Sequence, residues 1–368
     1  MLLNIRKAPP VAGITQYIVK HSPKQAEIVG DMIKRIQSNE FPPGSEIPSV
    51  IQLSVQYNAG TATVQRAVIH LRERGYIETN SRGSRVVENP PHLCHFGLVL
   101  PFYAFHSQFV TALRNEAEII SETISDDGIA RKFSIFKQIE HPGKDILQHH
   151  EELVAAVQNE TVGGLFFAGP TTKLLEPVKK LNPDIPCVGY GNLARGQMDI
   201  ISDSFLVRAV GELAKRGRKR AALMVASSAK GQDYVDHFMN LLHEHNMTSL
   251  PRWVHGLDIS NAHWASTCAE MLMATNDKPD SLIIDDDNLV PYATAGIAAS
   301  GIGVPGELTI VAHTNFPYPT RSEVPAVRLG TDIRRMMKLA IERMERIRRG
   351  ETVERAVLPV SSEEDAMH

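Results

Sequence analysis

The length, composition and charge of this chain exclude several classes of protein. Its 368 residues include 39 basic and 42 acidic ones, for a formal net charge of −3 at pH 7. This length predicts two or more domains, and the balanced charge argues against a surface covered in basic patches. Cys94, Cys187 and Cys268 are odd in number and lack metal-ligand spacing. They indicate reduced thiols of a cytoplasmic protein, and neither a disulfide framework nor a zinc site.

Neither a membrane segment nor a cofactor motif can be read in the sequence. No apolar run reaches the length needed to cross a bilayer, and the N-terminus lacks an apolar stretch after a basic start. The glycine pairs at 189–191 and 301–303 lack the third glycine of a dinucleotide-binding loop. We therefore expect no membrane partner and no cofactor, and a flexible arm over residues 1–16.

Two helix-capping motifs open the region 17–88. Ser22 is followed by Pro23 and, at the third helical position, by Gln25, which predicts a helix start at residue 23. The helix that follows carries its apolar residues on one face: Ile28, Met32, Ile33 and Ile36. The second motif, Ser49 to Gln52, predicts a short helix with these side chains inward: Val50, Leu53 and Val55.

A third helix is predicted between Thr61 and Gly75, because the turn 57–60 precedes it and glycine commonly follows a helix end. Its apolar positions lie at i, i+4 and i+7: Val64, Val68 and Leu71. The opposite face carries Ala62, Gln65, Arg66 and Ile69. Strands at 76–79 and 84–87 with a turn at 80–83 then predict a basic hairpin. Three helices and such a hairpin are typical of a winged helix-turn-helix, although a hairpin can also act only as a cap on the helices.

The outward face of the third helix can enter a DNA major groove. Arg66 can grip a guanine or a phosphate, Gln65 can pair with adenine, and Thr61 and Ala62 can touch a phosphate or a thymine methyl. The predicted DNA-contacting residues are Ser49, Thr61, Ala62, Thr63, Gln65, Arg66, Arg82, Gly83 and Arg85. Residues 17–88 hold nine basic and seven acidic side chains. Because this excess is small, we expect affinity for DNA to depend on dimerisation as well as on phosphate contacts.

This region resembles the GntR family of bacterial transcription regulators over residues 22–88. The matching residues are Gly44, Ile47-Pro48-Ser49, Thr63-Val64, Leu71, Gly75-Tyr76-Ile77 and Gly83. The chain departs from the family where DNA-contacting arginines are usual: Val50-Ile51, Gly60-Thr61 and Gln65 stand there, and Arg66 comes one place later. The resemblance implies a DNA-binding domain of the family's fold.

Residues 89–95 are predicted to be a linker, because Pro90 and Pro91 end the last strand of the hairpin. Beyond them, strands alternate with helices, which predicts a parallel α/β domain over 96–361 and a short tail at 362–368. The predicted strands are 96–100, 133–136, 164–167, 186–189, 220–225, 281–284, 308–312, 326–329 and 356–360. The predicted helices are 107–122, 145–158, 172–181, 204–216, 231–245, 288–300 and 331–349.

The second domain resembles the effector domain of the LacI/GalR family. The matching segments are 199–203, 217–220, 279–287 and 301–311, in the family's order. By resemblance, the fold class is an N-terminal winged helix-turn-helix plus a two-lobed, doubly wound, periplasmic-binding-protein-like domain. One lobe would comprise residues 95–193 with 330–350, and the other 196–328 with 354–361, around a cleft.

Ligands of open α/β sheets bind beyond the carboxyl ends of the strands. On this basis, and by resemblance for Lys230, Asp286 and Thr314, we predict an effector site. Its residues are Phe102, Tyr103, Phe105, Tyr190, Asn192, Lys230, Asp286, Thr314 and Asn315. Aromatic faces there can stack on a sugar or base ring, while Asp and Asn can bond hydroxyl groups.

Other interpretations of single motifs remain open at this point. The run 285–287 could bind a metal ion, but three successive carboxylates cannot all face one point. Trp253 and Trp264 could flank the cleft or pack in a core. No set of nucleophile, base and orienting group is found, so we predict that the chain is not an enzyme.

The parts together predict a ligand-responsive DNA-binding transcriptional regulator. We expect a repressor that binds a palindromic, double-stranded operator as a homodimer, with a small sugar-like effector in the cleft. The alternatives are a soluble small-molecule binding protein and, more distantly, an enzyme.

Overall fold

A computed structural model describes most of the chain as two compact units that divide between Pro90 and Pro91. The described residues are 22–81, 83–101, 107–125, 127–138, 147, 149–169, 171, 174–191, 200–202, 204–226 and 231–366. Among them, no helix is both long and apolar enough to cross a membrane.

The N-terminal unit has the element order of a winged helix-turn-helix. Its elements are α1 (Pro23–Gln37), α2 (Val50–Gln56), α3 (Thr61–Glu73), β1 (Ile77–Asn80) and β2 (Gly83–Val86). The two strands pair antiparallel, with Ile77 opposite Val86.

The predicted caps are confirmed. The Ser22 hydroxyl accepts a hydrogen bond from the Gln25 backbone N–H at 3.2 Å. Ser49 and Gln52 form a complete capping box at the start of α2. Gly75 follows α3 with φ of 78°, a backbone conformation that glycine adopts without steric cost. Each cap satisfies backbone groups at a helix end and so fixes where the helix begins or ends.

One apolar cluster holds these elements together. The predicted inward residues of α1 and α3 are buried, and so is Leu53 of α2. The prediction for Val55 was wrong, because its side chain is 79% exposed and lies on the outward face of α2 with Ile51. A seven-residue helix buries only a narrow stripe, and position 55 falls outside it.

The second unit alternates strands and helices. Its first half comprises α4 (Pro91–Cys94), β3 (His95–Pro101), α5 (Gln108–Glu122), β4 (Lys132–Gln138), α6 (Glu151–Gln158), β5 (Leu165–Ala168), α7 (Leu175–Leu181), β6 (Cys187–Tyr190) and β7 (Ile200–Ser202). Its second half comprises α8 (Phe205–Lys215), β8 (Ala221–Ala226), α9 (Gln232–Glu244), β9 (Val254–Leu257), α10 (Trp264–Met273), β10 (Ser281–Asp285), α11 (Val290–Ser300), β11 (Thr309–Phe316), β12 (Val327–Asp332), α12 (Ile333–Arg348), β13 (Ala356–Leu358), β14 (Ser361–Ser362) and α13 (Glu363–Ala366).

These strands form two six-stranded sheets, one in each lobe. The first sheet has the order β13-β7-β6-β5-β3-β4 and the second β14-β12-β11-β10-β8-β9. All pairings in the two sheets are parallel except that of β12 with β14. The chain therefore passes between the lobes three times: after β7, after β12 and after β13.

The predicted lobe boundaries need one correction. β13 was assigned to the second lobe, but Ala356–Leu358 pairs in parallel with Ile200–Ser202 at the edge of the first sheet. α12 packs its apolar face on the core of the first lobe, as expected for 330–350.

Several elements were not predicted as such. β9 and α10 lie in the stretch 246–280, where no element was assigned. Residues assigned to the linker form α4, whose Pro91, His92 and Cys94 are buried. Part of the tail forms α13, which begins at Glu363. Among the predicted elements, the helix expected from 145 begins only at Glu151, and β11 extends to Phe316 rather than ending near 312.

The segments 217–220, 279–287 and 301–311 are joined by hydrogen bonds at the amino-terminal ends of the strands in the second lobe's sheet. The Arg218 side chain donates hydrogen bonds to Thr309 Oγ1 at 2.8 Å and to the Pro305 carbonyl at 2.5 Å. The Asp280 carboxylate accepts from the backbone N–H groups of Lys219 and Arg220. These residues therefore stabilise the second lobe and lie at the end of the sheet opposite the carboxyl ends of its strands.

Candidate DNA-reading surface and interlobe cavity

The outward face of α3 carries the predicted DNA-contacting side chains in an accessible position. Thr61, Ala62, Gln65 and Arg66 are exposed, and Thr63 is partly buried. Gly60, at the N-cap of α3, has no side chain to occupy the first backbone N–H groups. Since a helix N-terminus carries a partial positive charge, this end of α3 suits an approaching phosphate.

The charge of this surface is small. Arg66 forms no ion pair among the described residues. Arg85, in contrast, forms an ion pair with Glu78, which lies directly opposite it in the hairpin. Ser49 and Gly83 are exposed beside these elements, while Arg82 lies outside the described residues. Of the predicted arginines whose structure is described, Arg66 is therefore the one without a compensating carboxylate.

Two adjoining cavities lie at the carboxyl ends of the strands in the second unit. The first has a volume of 290 Å³ and is lined by Ser107, Phe109, Tyr190, Ala226, Ile259, Asp285, Asp286, Asp287, Asn288, His313, Asn315 and Thr331. The second measures 490 Å³ and shares with it Tyr190, Asp285, His313 and Thr331. Residues from both lobes line the first cavity, hereafter called the interlobe cavity.

The structure brings three of the predicted effector residues together in this cavity: Tyr190, Asp286 and Asn315. Thr314 lines neither cavity and is fully buried. It belongs to β11, where successive side chains point to opposite faces, so His313 and Asn315 face the cavity and Thr314 does not. Five other predicted residues lie outside the described part of the chain: Phe102, Tyr103, Phe105, Asn192 and Lys230.

Residues from the first lobe that the sequence analysis missed complete the interlobe cavity. Phe109, near the start of α5, packs against Tyr190 with ring centroids 5.5 Å apart. Burial raises the pKa of Tyr190, whose hydroxyl hydrogen bonds with Ser202. Ser107 is the N-cap of α5, and Phe109 lies in its first turn. Because the predicted helix starts at 107, directly after a strand end, its first turn could have been placed at the cavity from the sequence.

The second lobe contributes a fixed set of carboxyl groups. Asp285 accepts a hydrogen bond from the Tyr234 hydroxyl, and burial together with this carboxylate raises the pKa of Tyr234. Asp286 Oδ1 accepts from the backbone N–H of Asn288 at 2.9 Å and from its side-chain amide at 2.8 Å. Asp287 accepts from the Asn315 amide. These bonds fix the direction in which each side chain presents its remaining polar atoms.

A direct hydrogen bond joins the two lobes beside the interlobe cavity. The backbone N–H of Gln108, the first residue of α5, donates to Asn288 Oδ1 at 2.9 Å. Because Asp286 holds the other end of the Asn288 amide, the second lobe presents this acceptor in a defined orientation. The two lobes are therefore in direct contact at Asn288, which also lines the cavity.

The other interpretations of single motifs find little support among the described residues. No group of three or more His, Cys, Asp or Glu side chains there is arranged to hold a metal ion. Trp253 is 2% exposed and belongs to the core of the second lobe. Trp264 is 54% exposed, and it lines neither of the two cavities.

Comparison with known proteins finds a matching family for part of each unit. Residues 24–87 match the bacterial regulatory proteins of the gntR family, and residues 210–363 match the periplasmic binding protein-like domain. The chain is also similar to the HTH-type transcriptional repressor PurR of Aliivibrio salmonicida (strain LFI1238), with 28% identity over 111 residues. That segment is 30% of this chain and 33% of the repressor, so the chain spans about a third of the length of this curated relative.

Solved structures of LacI-family regulators share the fold of the second unit. A regulator from Bifidobacterium animalis subsp. lactis DSM 10140 aligns over 74% of this chain and 96% of its own, with a TM-score of 0.55 and 19% identity. The lactose repressor bound to the anti-inducer ONPF aligns over 73% and 97%, with a TM-score of 0.57 and 14% identity. A regulator from Lactobacillus casei with bound glucose aligns over 73% and 97%, with a TM-score of 0.53 and 15% identity.

Together these matches define the class of the protein. A winged helix-turn-helix is followed by a two-lobed periplasmic-binding-protein-like domain. The chain joins a domain that matches the gntR family to a periplasmic-binding-protein-like domain with the fold of LacI-family regulators.

Proposed function

We propose that this protein is a cytoplasmic, ligand-responsive transcription repressor. It binds a palindromic, double-stranded operator as a homodimer and takes a small polar, sugar-like effector in the interlobe cavity. The observation that carries the proposal is the exposed face of α3, with Thr61, Gln65 and Arg66, in a domain matched by the gntR family. The similar proteins support the proposal, since one is a transcriptional repressor and the structure of another contains bound glucose.

The proposed mechanism couples the two units through the state of the cleft. Ligand in the interlobe cavity would favour one arrangement of the lobes, and the paired domains of a dimer would then change their spacing. Couplings of this kind typically amount to about 1 to 3 kcal/mol. The bond between Gln108 and Asn288 and the one that the Tyr318 hydroxyl donates to Glu116 at 2.8 Å are described bonds that opening of the lobes would break.

Operator selection with the full-length protein tests this proposal. Random duplexes would be enriched by binding to the full chain, and the enriched sequence would be footprinted at several salt concentrations. We expect a two-fold symmetric footprint that weakens as salt rises, because counterions are released on binding. A protein that binds a small molecule but enriches no duplex would be the soluble binding protein instead, and turnover of that molecule would indicate an enzyme.

Replacing Arg66 is expected to weaken operator binding strongly. Arg66 is exposed on the outward face of α3 and has no carboxylate partner among the described residues. Loss of one arginine contact to a base or phosphate costs about 1 to 3 kcal/mol, and a dimer loses two, so Arg66→Ala should lower affinity at least about 30-fold. Fluorescence anisotropy with the selected duplex measures the change.

Lys34→Ala provides the matched control for this measurement. Lys34 is exposed in the last turn of α1, and its removal changes the net charge of the domain equally. We expect its affinity to stay near the wild-type value. Equal losses for both variants would mean that the effect reflects overall charge, and that α3 does not read the duplex.

A further inference from the structure

The interlobe cavity presents hydrogen-bond acceptors from one corner of the second lobe. This corner, here called the acceptor corner, consists of Asp285, Asp286, Asp287 and Asn315. The first three end or follow β10, and Asn315 lies on the neighbouring strand β11. An ionised carboxylate accepts hydrogen bonds and does not donate them, so a ligand that pairs with one in this corner must supply donors.

Asn315 adds an acceptor that no described residue satisfies. Its side chain is 1% exposed, and its Nδ2 group donates to Asp287 Oδ2. Its Oδ1 atom is buried and has no hydrogen-bond partner among the described residues. A buried acceptor without a donor is unfavourable, and in a cavity lining it indicates a place for a ligand N–H or O–H group.

Asp287 makes the same corner favourable for positive charge. The residue is 3% exposed and lies beside Asp286. Burial, and then the neighbouring Asp286 carboxylate, raise the pKa of Asp287 to about 8, while the hydrogen bond from Asn315 acts in the opposite direction. The ionised form of Asp287 is therefore unfavourable in this cavity, and a cation beside it would relieve that cost.

The other polar and charged side chains near the acceptor corner, among the described residues, already have partners or lie in the neighbouring cavity. Asp285 is bonded by the Tyr234 hydroxyl, Asp286 by the Asn288 amide, and His313 packs edge-on against Phe205. Arg355 lines the neighbouring cavity, and Lys230, which the sequence predicts for the effector site, lies outside the described residues. No lysine or arginine is among the described residues that line the interlobe cavity. On the first lobe, the aromatic rings of Phe109 and Tyr190, tilted by 32° to each other, line the cavity.

We propose that the effector is a small polyhydroxylated molecule that carries a protonated amine, with its ammonium group held between the Asp287 carboxylate and Asn315 Oδ1. This inference rests on the proposed function in taking the interlobe cavity as the effector site. An ammonium group has three donors and no acceptor, so it suits both atoms at once. The aromatic pair can contact the carbon face of the ligand, and the hydroxyl groups can bond the other polar lining residues.

Binding of such a cation should release a proton. With its pKa raised to about 8, Asp287 is mostly protonated near pH 7, and a neighbouring ammonium lowers the pKa of a carboxyl group. The carboxyl proton then passes to the buffer as the ion pair forms. A neutral ligand that only accepts and donates hydrogen bonds would leave Asp287 protonated.

Calorimetry with matched ligands tests the proposal on the full-length protein. Three amines would be compared with their hydroxyl counterparts: glucosamine with glucose, galactosamine with galactose, and glucamine with sorbitol. Titrations at pH 7 in phosphate and in imidazole buffer would give the number of protons released. We expect at least one amine to bind about 10- to 100-fold more tightly than its counterpart, with close to one proton released.

Variants identify the group responsible. Asp287→Asn should remove both the preference for the amine and the proton release, and Asn315→Leu should weaken amine binding about tenfold or more. Asp184→Asn, an exposed carboxylate outside both cavities, is the control for net charge and should bind as the wild type does. Melting temperatures would show that each variant is folded.

The proposal would be overturned by equal or tighter binding of the neutral partner, by amine binding without proton release, or by amine binding that Asp287→Asn does not change. Failure of all three amines at millimolar concentration would also overturn it. None of these titrations contains DNA. Binding of an amine is therefore measured independently of operator binding. If the protein bound an amine but no operator, the proposed function would be refuted and the amine site in the interlobe cavity would stand.

Discussion

Replacing Gly296 with alanine is expected to destabilise the second lobe by about 3 kcal/mol. Gly296 lies in the middle of α11, where this helix crosses α10. A Cβ atom built at this position would lie 2.2 Å from the backbone carbonyl oxygen of Ser266. Since the clash is with backbone and not with a flexible side chain, the two helices would have to move apart. The alanines and Ile297 packed between the helices would lose contacts as a result.

Gly211→Ala is the matched control for this change. Gly211 occupies the same place in α8, the seventh residue of an 11-residue helix, and a Cβ atom there would meet nothing within 4 Å. Alanine is the better helix former, so this variant should gain about 0.5 to 1 kcal/mol. Urea unfolding followed by circular dichroism measures both free energies. A Gly296→Ala variant as stable as Gly211→Ala would show that α10 and α11 are not in close contact.

Acidification is expected to destabilise the protein through His92, by about 3 kcal/mol at pH 4. His92 is 4% exposed in α4. Burial, and then the charge of Arg348, lower its pKa to about 3. In the unfolded chain a histidine takes up its proton near pH 6.5, whereas in the folded protein His92 stays neutral until pH falls to about 3. Stability is therefore fully present above about pH 6.5 and is lost progressively between these two values.

The variant His92→Gln separates this contribution from other acid effects. It cannot take up a proton at this position, so its free energy of unfolding should fall less steeply between pH 6.5 and 4 than that of the wild type. Part of the slope should remain, because burial lowers the pKa of the nearby His95 to about 4 as well. His243→Gln, on the exposed side of α9, is the control and should follow the wild-type profile. Parallel profiles for wild type and His92→Gln would contradict the burial of His92.

The sequence predicted elements best where local chemistry determines the structure. The capping motifs at Ser22 and Ser49 and the glycine after α3 satisfy backbone groups within a few residues, so they mark helix ends without help from the rest of the fold. For Val55, reasoning from local sequence led to the wrong prediction. Its apolar side chain fits an inward position by composition, but the number of faces that a short helix buries depends on its neighbours.

In the candidate site of the second unit, too, some residues follow from local sequence and others depend on how the elements pack. Strand ends were predicted, which located Tyr190, Asp286 and Asn315, because parallel strands place their carboxyl ends at one edge. The exclusion of Thr314 depends on how far β11 extends, and the position of Phe109 depends on the approach of the first lobe. Similarly, a three-residue strand such as β13 has no sequence pattern that assigns it to one of two sheets.

The first unit is continuous in sequence, whereas each lobe of the second unit is not, and this difference affects how such a protein can evolve. The DNA-reading unit is one uninterrupted stretch that ends at Pro90. Each lobe behind it is assembled from separate stretches, since the chain passes between the two sheets three times. A single recombination event near codon 90 can therefore exchange the reading unit for another, while neither lobe can be inherited without the other. Under the proposed function, operator preference and effector preference can accordingly evolve by different genetic routes.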